Sequence, residues 1–188
     1  ARSRFLLDSG CRYVGPSPFD VDYIVARGAL GRGIVRSPFL ACAPAFRAEP
    51  VDAAVLAGLR EPYFPRTYGA FCSHQNTPYR LEDAVLPSGA PRPAAWRKGR
   101  IVSLAHPVGA MYFHLGARIH RDYFANALGL VHRRPAVSVA MPSAGRVSLV
   151  RQPPLRRYVA HLLYAPALRR GRATVIDDMP ALRDVRLA

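Results

Sequence analysis

Cys72 and His74 stand two residues apart, so an extended segment would carry both on one face, and a thiolate beside an imidazole is the usual activated nucleophile and base. No Gly-x-Cys-x-Gly elbow surrounds the cysteine and no third group orients the base, so Cys72 reads as a packed thiol and His74 as a loop histidine. Glycosidic hydrolysis asks for two carboxyl groups roughly 5 to 9.5 Å apart. Of the acids in the middle of the chain, Glu61, Glu82, Asp83 and Asp122, the central two fall in an exposed loop and Asp122 on a helix, where solvated or capping roles are expected. No catalytic pair emerges, and no catalytic residue is assigned.

The same stretch has the composition of a sugar-binding surface. Tyr63, Tyr68 and Tyr79 offer aromatic faces that stack on pyranose rings, and the run His74-Gln75-Asn76-Thr77 supplies donors and acceptors for hydroxyls. These polar groups can equally satisfy their own loop backbone. Arg66 joins them, because arginine and tyrosine are enriched in interfaces. His106 is a further binding or interface candidate. His106, His114, His120 and His132 lack the spacing of metal ligands, so neither a metal nor a cofactor is expected.

The elements that must position these residues are short at first. Residues 1–50 alternate apolar runs with turns, and Arg12-Tyr13-Val14 and Phe39 to Ala43 read as strands. Val51, Val55, Leu56 and Leu59 share one helical face, with Asp52 at the favoured end of the dipole and Pro62 as the stop, which predicts a helix there. Lys98-Gly99-Arg100 between Pro93–Arg97 and Ile101–Ala105 predicts a hairpin. Ile119, Tyr123, Ala127, Leu128 and Val131 predict a helix over 118–131. Beyond Pro135 short alternating strands at 137–141, 146–151, 158–164, 173–176 and 184–187 predict a small antiparallel sandwich, so the chain divides into 1–135 and 136–188.

Half of the 188 residues are hydrophobic, enough for a core. The net charge of +15 raises nucleic acid as a partner. Of the 27 basic residues only Lys98 is a lysine, and they are scattered singly or in pairs among many Ala, Pro and Gly, which is the codon bias of a GC-rich genome rather than a binding stripe. Cys11, Cys42 and Cys72 form an odd set without Cys-x-x-Cys spacing, which argues against disulfides or zinc. No apolar run approaches the roughly 18 residues of a membrane span, and no signal-type segment opens the chain, so a soluble, cytoplasmic protein without membrane contact is expected.

The runs Glu61-Pro62-Tyr63-Phe64-Pro65-Arg66-Thr67-Tyr68 and Phe71-Cys72-Ser73-His74-Gln75-Asn76-Thr77-Pro78, with Ser103-Leu104-Ala105-His106-Pro107 and Asn126-Ala127-Leu128, resemble bacterial β-galactosidase-like glycoside hydrolases. The chain looks like the region after the catalytic barrel in family 42-like proteins. Arg151-Gln152, Tyr158 to Tyr164 and Ile176 to Pro180 are similar to the small C-terminal β-domain of the same proteins. The resemblance implies an α/β fold for 1–135: a three-layer, flavodoxin-like domain of the glutamine-amidotransferase type, incomplete at its N-terminus, acting in trimerisation rather than amidotransfer. It further implies a homo-oligomer, a trimer, working beside an N-terminal catalytic barrel that carries the glutamates and binds carbohydrate. The expected function is thus a non-catalytic oligomerisation or accessory region of a glycoside hydrolase in carbohydrate metabolism. The alternatives are a glycosidase component that needs a separate barrel, or a stand-alone module binding carbohydrate or nucleic acid.

Overall fold

The computed structural model describes residues 5–65 and 78–188, which form two compact units, residues 1–133 and 134–188. The first unit runs β1 (Cys11–Pro16), β2 (Asp22–Ala26), β3 (Phe39–Ala41), β4 (Phe46–Pro50), β5 (Ala54–Arg60), β6 (Pro93–Lys98), β7 (Ile101–Leu104), α1 (Val108–Leu115) and α2 (Arg118–Val131). Five strands make one antiparallel sheet in the order β3-β2-β5-β6-β7, and β1 pairs with β4 in a separate ribbon. Consecutive side chains of a strand point to opposite faces. In β6, Ala95 joins the core under the helices with Ile24, Leu59, Val108, Met111 and Tyr123, whereas Trp96 joins Ala45, Ala48 and Phe46 on the other side. Trp96 meets Phe46 edge to face at 5.8 Å.

Helix α2 lies where its periodicity places it. Its buried side carries His120, Tyr123 and Ala127, and two polar residues pin it to the chain around β3. His120 Nε2 lies 2.9 Å from the Leu40 carbonyl, and Asn126 donates to the carbonyls of Leu30 and Arg32 at 2.9 and 2.8 Å. The β6–β7 hairpin also forms as expected, with Gly99 at φ 55° opening a two-residue turn.

Three expectations fail in the first unit, and a fourth in the second. Residues 54–60 are not helical but the central strand β5, paired with β2 on one side and β6 on the other. A strand covered on both faces shows no alternation, and a short apolar run then fits a helical template equally well. The flavodoxin-like α/β domain is overturned as well. That fold needs parallel strands joined by helical crossovers, and among the described residues every strand pairing is antiparallel while both α-helices follow the last strand of the sheet. The amidotransferase-type trimerisation domain and its missing N-terminal strands fall with the fold that implied them. The unit is instead mostly β, with one two-helix layer.

The second unit contains β8 (Val139–Ala140), β9 (Gly145–Gln152), β10 (Arg157–Tyr164), β11 (Leu168–Arg170), β12 (Ala173–Val175) and β13 (Arg186–Leu187). They pair as three separate two-stranded sheets, β9-β10, β11-β12 and β8-β13, in place of the two packed sheets of a sandwich. Strands of two or three residues bury too little to stack as layers. Among the described residues no helix is long and apolar enough to cross a membrane.

Candidate functional site

Antiparallel pairing brings the start of β2, the end of β5, the start of β6 and the end of β7 to the same end of the five-stranded sheet. Each strand delivers a polar residue there: Asp22 opens β2, Glu61 follows β5, Arg92 precedes β6 and His106 follows β7. Ser17, just past β1, completes the group. Arg92 lies between Pro91 and Pro93, whose fixed φ angles hold the chain extended as it enters the sheet.

The guanidinium of Arg92, 1% exposed, is the hub. Its Nη1 donates to Glu61 Oε1, and its Nη2 donates to Ser17 Oγ at 2.7 Å and Asp22 Oδ2 at 3.2 Å. Ser17 Oγ in turn faces Asp22 Oδ2 at 3.4 Å and accepts from the Phe19 amide at 3.2 Å. His106 is buried, with Nε2 3.4 Å from Asp22 Oδ2 but out of hydrogen-bond alignment. Asp22 Oδ1, Arg92 Nε and His106 Nδ1 have no hydrogen-bond partner among the described residues. Removing ions from water costs several kcal/mol each, and only close pairing with extra hydrogen bonds offsets that cost. The cluster supplies such pairing for Arg92, with one cation between two carboxylates.

What the cluster holds is a neck formed where residues 61–63 meet residues 78–80. Glu61 and Pro62 run antiparallel to Tyr79 and Arg80 through a bridge between Pro62 and Tyr79; the Tyr63 amide donates to Pro78 O at 3.1 Å and the Arg80 amide to Glu61 O at 2.9 Å. Tyr79 packs on Tyr23 with centroids 4.7 Å apart and lies 5.7 Å from the Arg60 guanidinium. Tyr63 keeps 51% of its surface exposed, with the Arg80 guanidinium 5.2 Å from its ring. The first residue of this neck, Glu61, is thus tied to Arg92.

Of the residues singled out from sequence, Tyr63 and His106 lie at this end of the sheet, Tyr63 on the neck and His106 beneath it. Arg66, Tyr68, His74, Gln75, Asn76 and Thr77, together with Cys72, lie outside the described residues. Sequence reasoning missed Ser17, Asp22 and Arg92. Two signals could have found the charged pair: an aspartate inside the apolar run Val21-Asp22-Tyr23-Ile24, and an arginine between two prolines before Ala94-Ala95-Trp96.

Asp22 is 0% exposed, and Glu61, 27% exposed, has Oε1 engaged by Arg92. Among the described residues no three His, Cys, Asp or Glu converge as metal ligands.

The chain matches no protein-family model and no curated protein sequence. It does superpose on a solved structure, the α-L-fucosidase isoenzyme 2 from Paenibacillus thiaminolyticus, with a TM-score of 0.84 and 28% identity. The match covers 98% of this chain and 27% of the fucosidase, so the chain spans about a quarter of that enzyme's length. Nearly the whole chain is therefore similar, in fold and in sequence, to one portion of a glycoside hydrolase.

Proposed function

We propose that this chain is a non-catalytic accessory region of a fucosidase-like glycoside hydrolase, acting beside a catalytic domain. The observation that carries the proposal is the match of 98% of the chain to 27% of a fucosidase at a TM-score of 0.84. The site chemistry agrees with it. A glycosidase needs one carboxyl to protonate the leaving oxygen and a second to attack or activate water, and the two acids gathered at the sheet end, Asp22 and Glu61, are the sealed and the engaged partners of Arg92. On this reading Arg92 and its partners fix the direction in which the neck leaves the sheet, and the exposed ring of Tyr63 is the proposed point of sugar contact.

The test is release of nitrophenol from 4-nitrophenyl α-L-fucoside and 4-nitrophenyl β-D-galactoside by the purified chain, with L-fucose binding followed by NMR. No turnover of either glycoside is expected, with weak fucose binding that Tyr63→Ala lowers about tenfold, or ~1.4 kcal/mol. Turnover by the chain alone, abolished by Glu61→Gln, overturns the accessory reading. Unaltered fucose binding in Tyr63→Ala removes the sugar contact.

A further inference from the structure

None of the residues of the second unit, 134–188, all of them described, is buried. Its longest element is the β9-β10 hairpin, paired without a bulge from Gly145 opposite Tyr164 to Gln152 opposite Arg157. Directly opposed residues share a face and the faces alternate along each strand. Val147, Leu149, Ala160 and Leu162 therefore form one apolar face, with Tyr158 and Arg151 at one end. At the other end an added Cβ on Gly145 would run into the Met141 methyl, so Met141 folds over the place a side chain would occupy and closes that end of the face. Val147, Tyr158 and Leu162 stay exposed. The opposite face mixes Arg146, Arg157, Ser148 and His161 with aliphatic residues. A two-stranded ribbon is marginal in water until its apolar face is covered.

Charge decides what covers it. The unit holds ten arginines and three aspartates, a net charge of 10 − 3 = +7. Among its described ion pairs only Arg170 meets an acid, Asp177 at 2.5 Å. Arg151 lies on the apolar face opposite Tyr158, and Arg156, held in the left-handed region at φ 48°, lies in the connection that joins the two strands at that end. A second copy would set +7 against +7 across a face two strands wide, so like charges would meet around the apolar contact. Nucleic acid would take the arginines and leave the aliphatic centre wet.

We propose that the Val147-Leu149-Ala160-Leu162 face of the β9-β10 hairpin docks a separate protein domain whose contact surface is apolar at its centre and acidic at its rim. The test places the photo-cross-linking residue p-benzoylphenylalanine at Val147, or at Val150 on the opposite face, in the full chain produced in its source cells, and identifies cross-linked species by mass spectrometry. A single acidic protein cross-linked from position 147 and not from 150 is expected. Its yield should fall about tenfold, the equivalent of ~1.4 kcal/mol, in Leu162→Gln and again in the rim variant Arg151→Glu, and hold in Leu163→Gln. The rim variant alters only an exposed side chain and keeps the test decisive if Leu162→Gln disturbs the hairpin, which circular dichroism will show. Cross-linking to a second copy or to nucleic acid, equal capture from both faces, capture insensitive to the variants, or no capture overturns the proposal.

Discussion

Arg92 shows what a buried charge costs when its company is changed. With Asp22 at 0% exposure and Glu61 beside it, Arg92→Met strands two carboxylates, and removal of one partner from a buried pair costs about 3–5 kcal/mol. Urea unfolding followed by the fluorescence of the single tryptophan, buried Trp96, is expected to show that loss, and Arg92→Met combined with Asp22→Leu should recover part of it. Tyr123 makes a different case. Its hydroxyl is buried without a partner among the described residues, and burial pushes the phenol well above its ordinary value of 10.0. The folded state keeps a proton that the unfolded chain releases near pH 10, so stability is complete below that pH and declines as pH rises past it. Tyr123→Phe is expected to flatten this alkaline decline in denaturant titrations at pH 9 to 11, and to hold or raise stability at pH 7, since an unsatisfied buried group costs about 1–3 kcal/mol. The Cys11 thiol is pushed up to about 11, first by burial and then by the charge of Asp52. In a Cys42→Ser/Cys72→Ser chain, alkylation by iodoacetamide should therefore keep accelerating beyond pH 9.0 and level only near 11.

At the scale of elements, the approach of β1 to the turn between β4 and β5 depends on Gly10. Its φ of 75° lies in the left-handed region, and a Cβ there would sit 2.7 Å from Asp52 Oδ1 and 2.9 Å from the Ala53 Cβ and Lys98 Cδ. The Gly10 carbonyl accepts from the amides of Val51 and Asp52 at 3.0 and 3.2 Å, so the turn cannot simply move away. Gly10→Ala is expected to destabilise the chain by more than about 1 kcal/mol, read from the urea midpoint. Nearby, Lys98 pairs with Asp8 at 2.7 Å and Asp52 at 2.6 Å, all three in contact with water. Such pairs contribute little, and Lys98→Met should shift the same midpoint far less than Gly10→Ala does.

Across the whole molecule, burial is concentrated in the first unit, where β2, β5 and β6 carry Ile24, Leu59, Ala95 and Trp96, while the second has no buried residue. Local opening follows that difference. Hydrogen exchange on the intact chain is expected to protect the amides of β5 and β6 longest and those of β9 and β10 least. Protection of β9 and β10 equal to that of β5 would mean that the hairpin is stabilised by something other than its own strands.

The sequence by itself determined the elements whose signals are local. Residues 118–131 carry a polar and an apolar side at helical spacing, and Lys98-Gly99-Arg100 carries the glycine that a two-residue turn requires. Tyr63 and His106 are candidates already in the sequence, Tyr63 from its aromatic and polar surroundings and His106 from the run that carries the family resemblance, and the structure places both at one end of the sheet. The resemblance to glycoside hydrolases pointed to the class of enzyme that the fold match also names, while the α/β fold it implied did not hold. What only the tertiary structure decided was non-local. Ala54–Arg60 became a strand because β2 and β6 flank it and supply both rows of hydrogen bonds. Ser17, Asp22, Glu61, Arg92 and His106, spread over ninety residues of chain, became one cluster because antiparallel pairing returns the chain to the same end of the sheet. Pairing partners and desolvation are properties of the assembled fold, and no single segment of the sequence carries them.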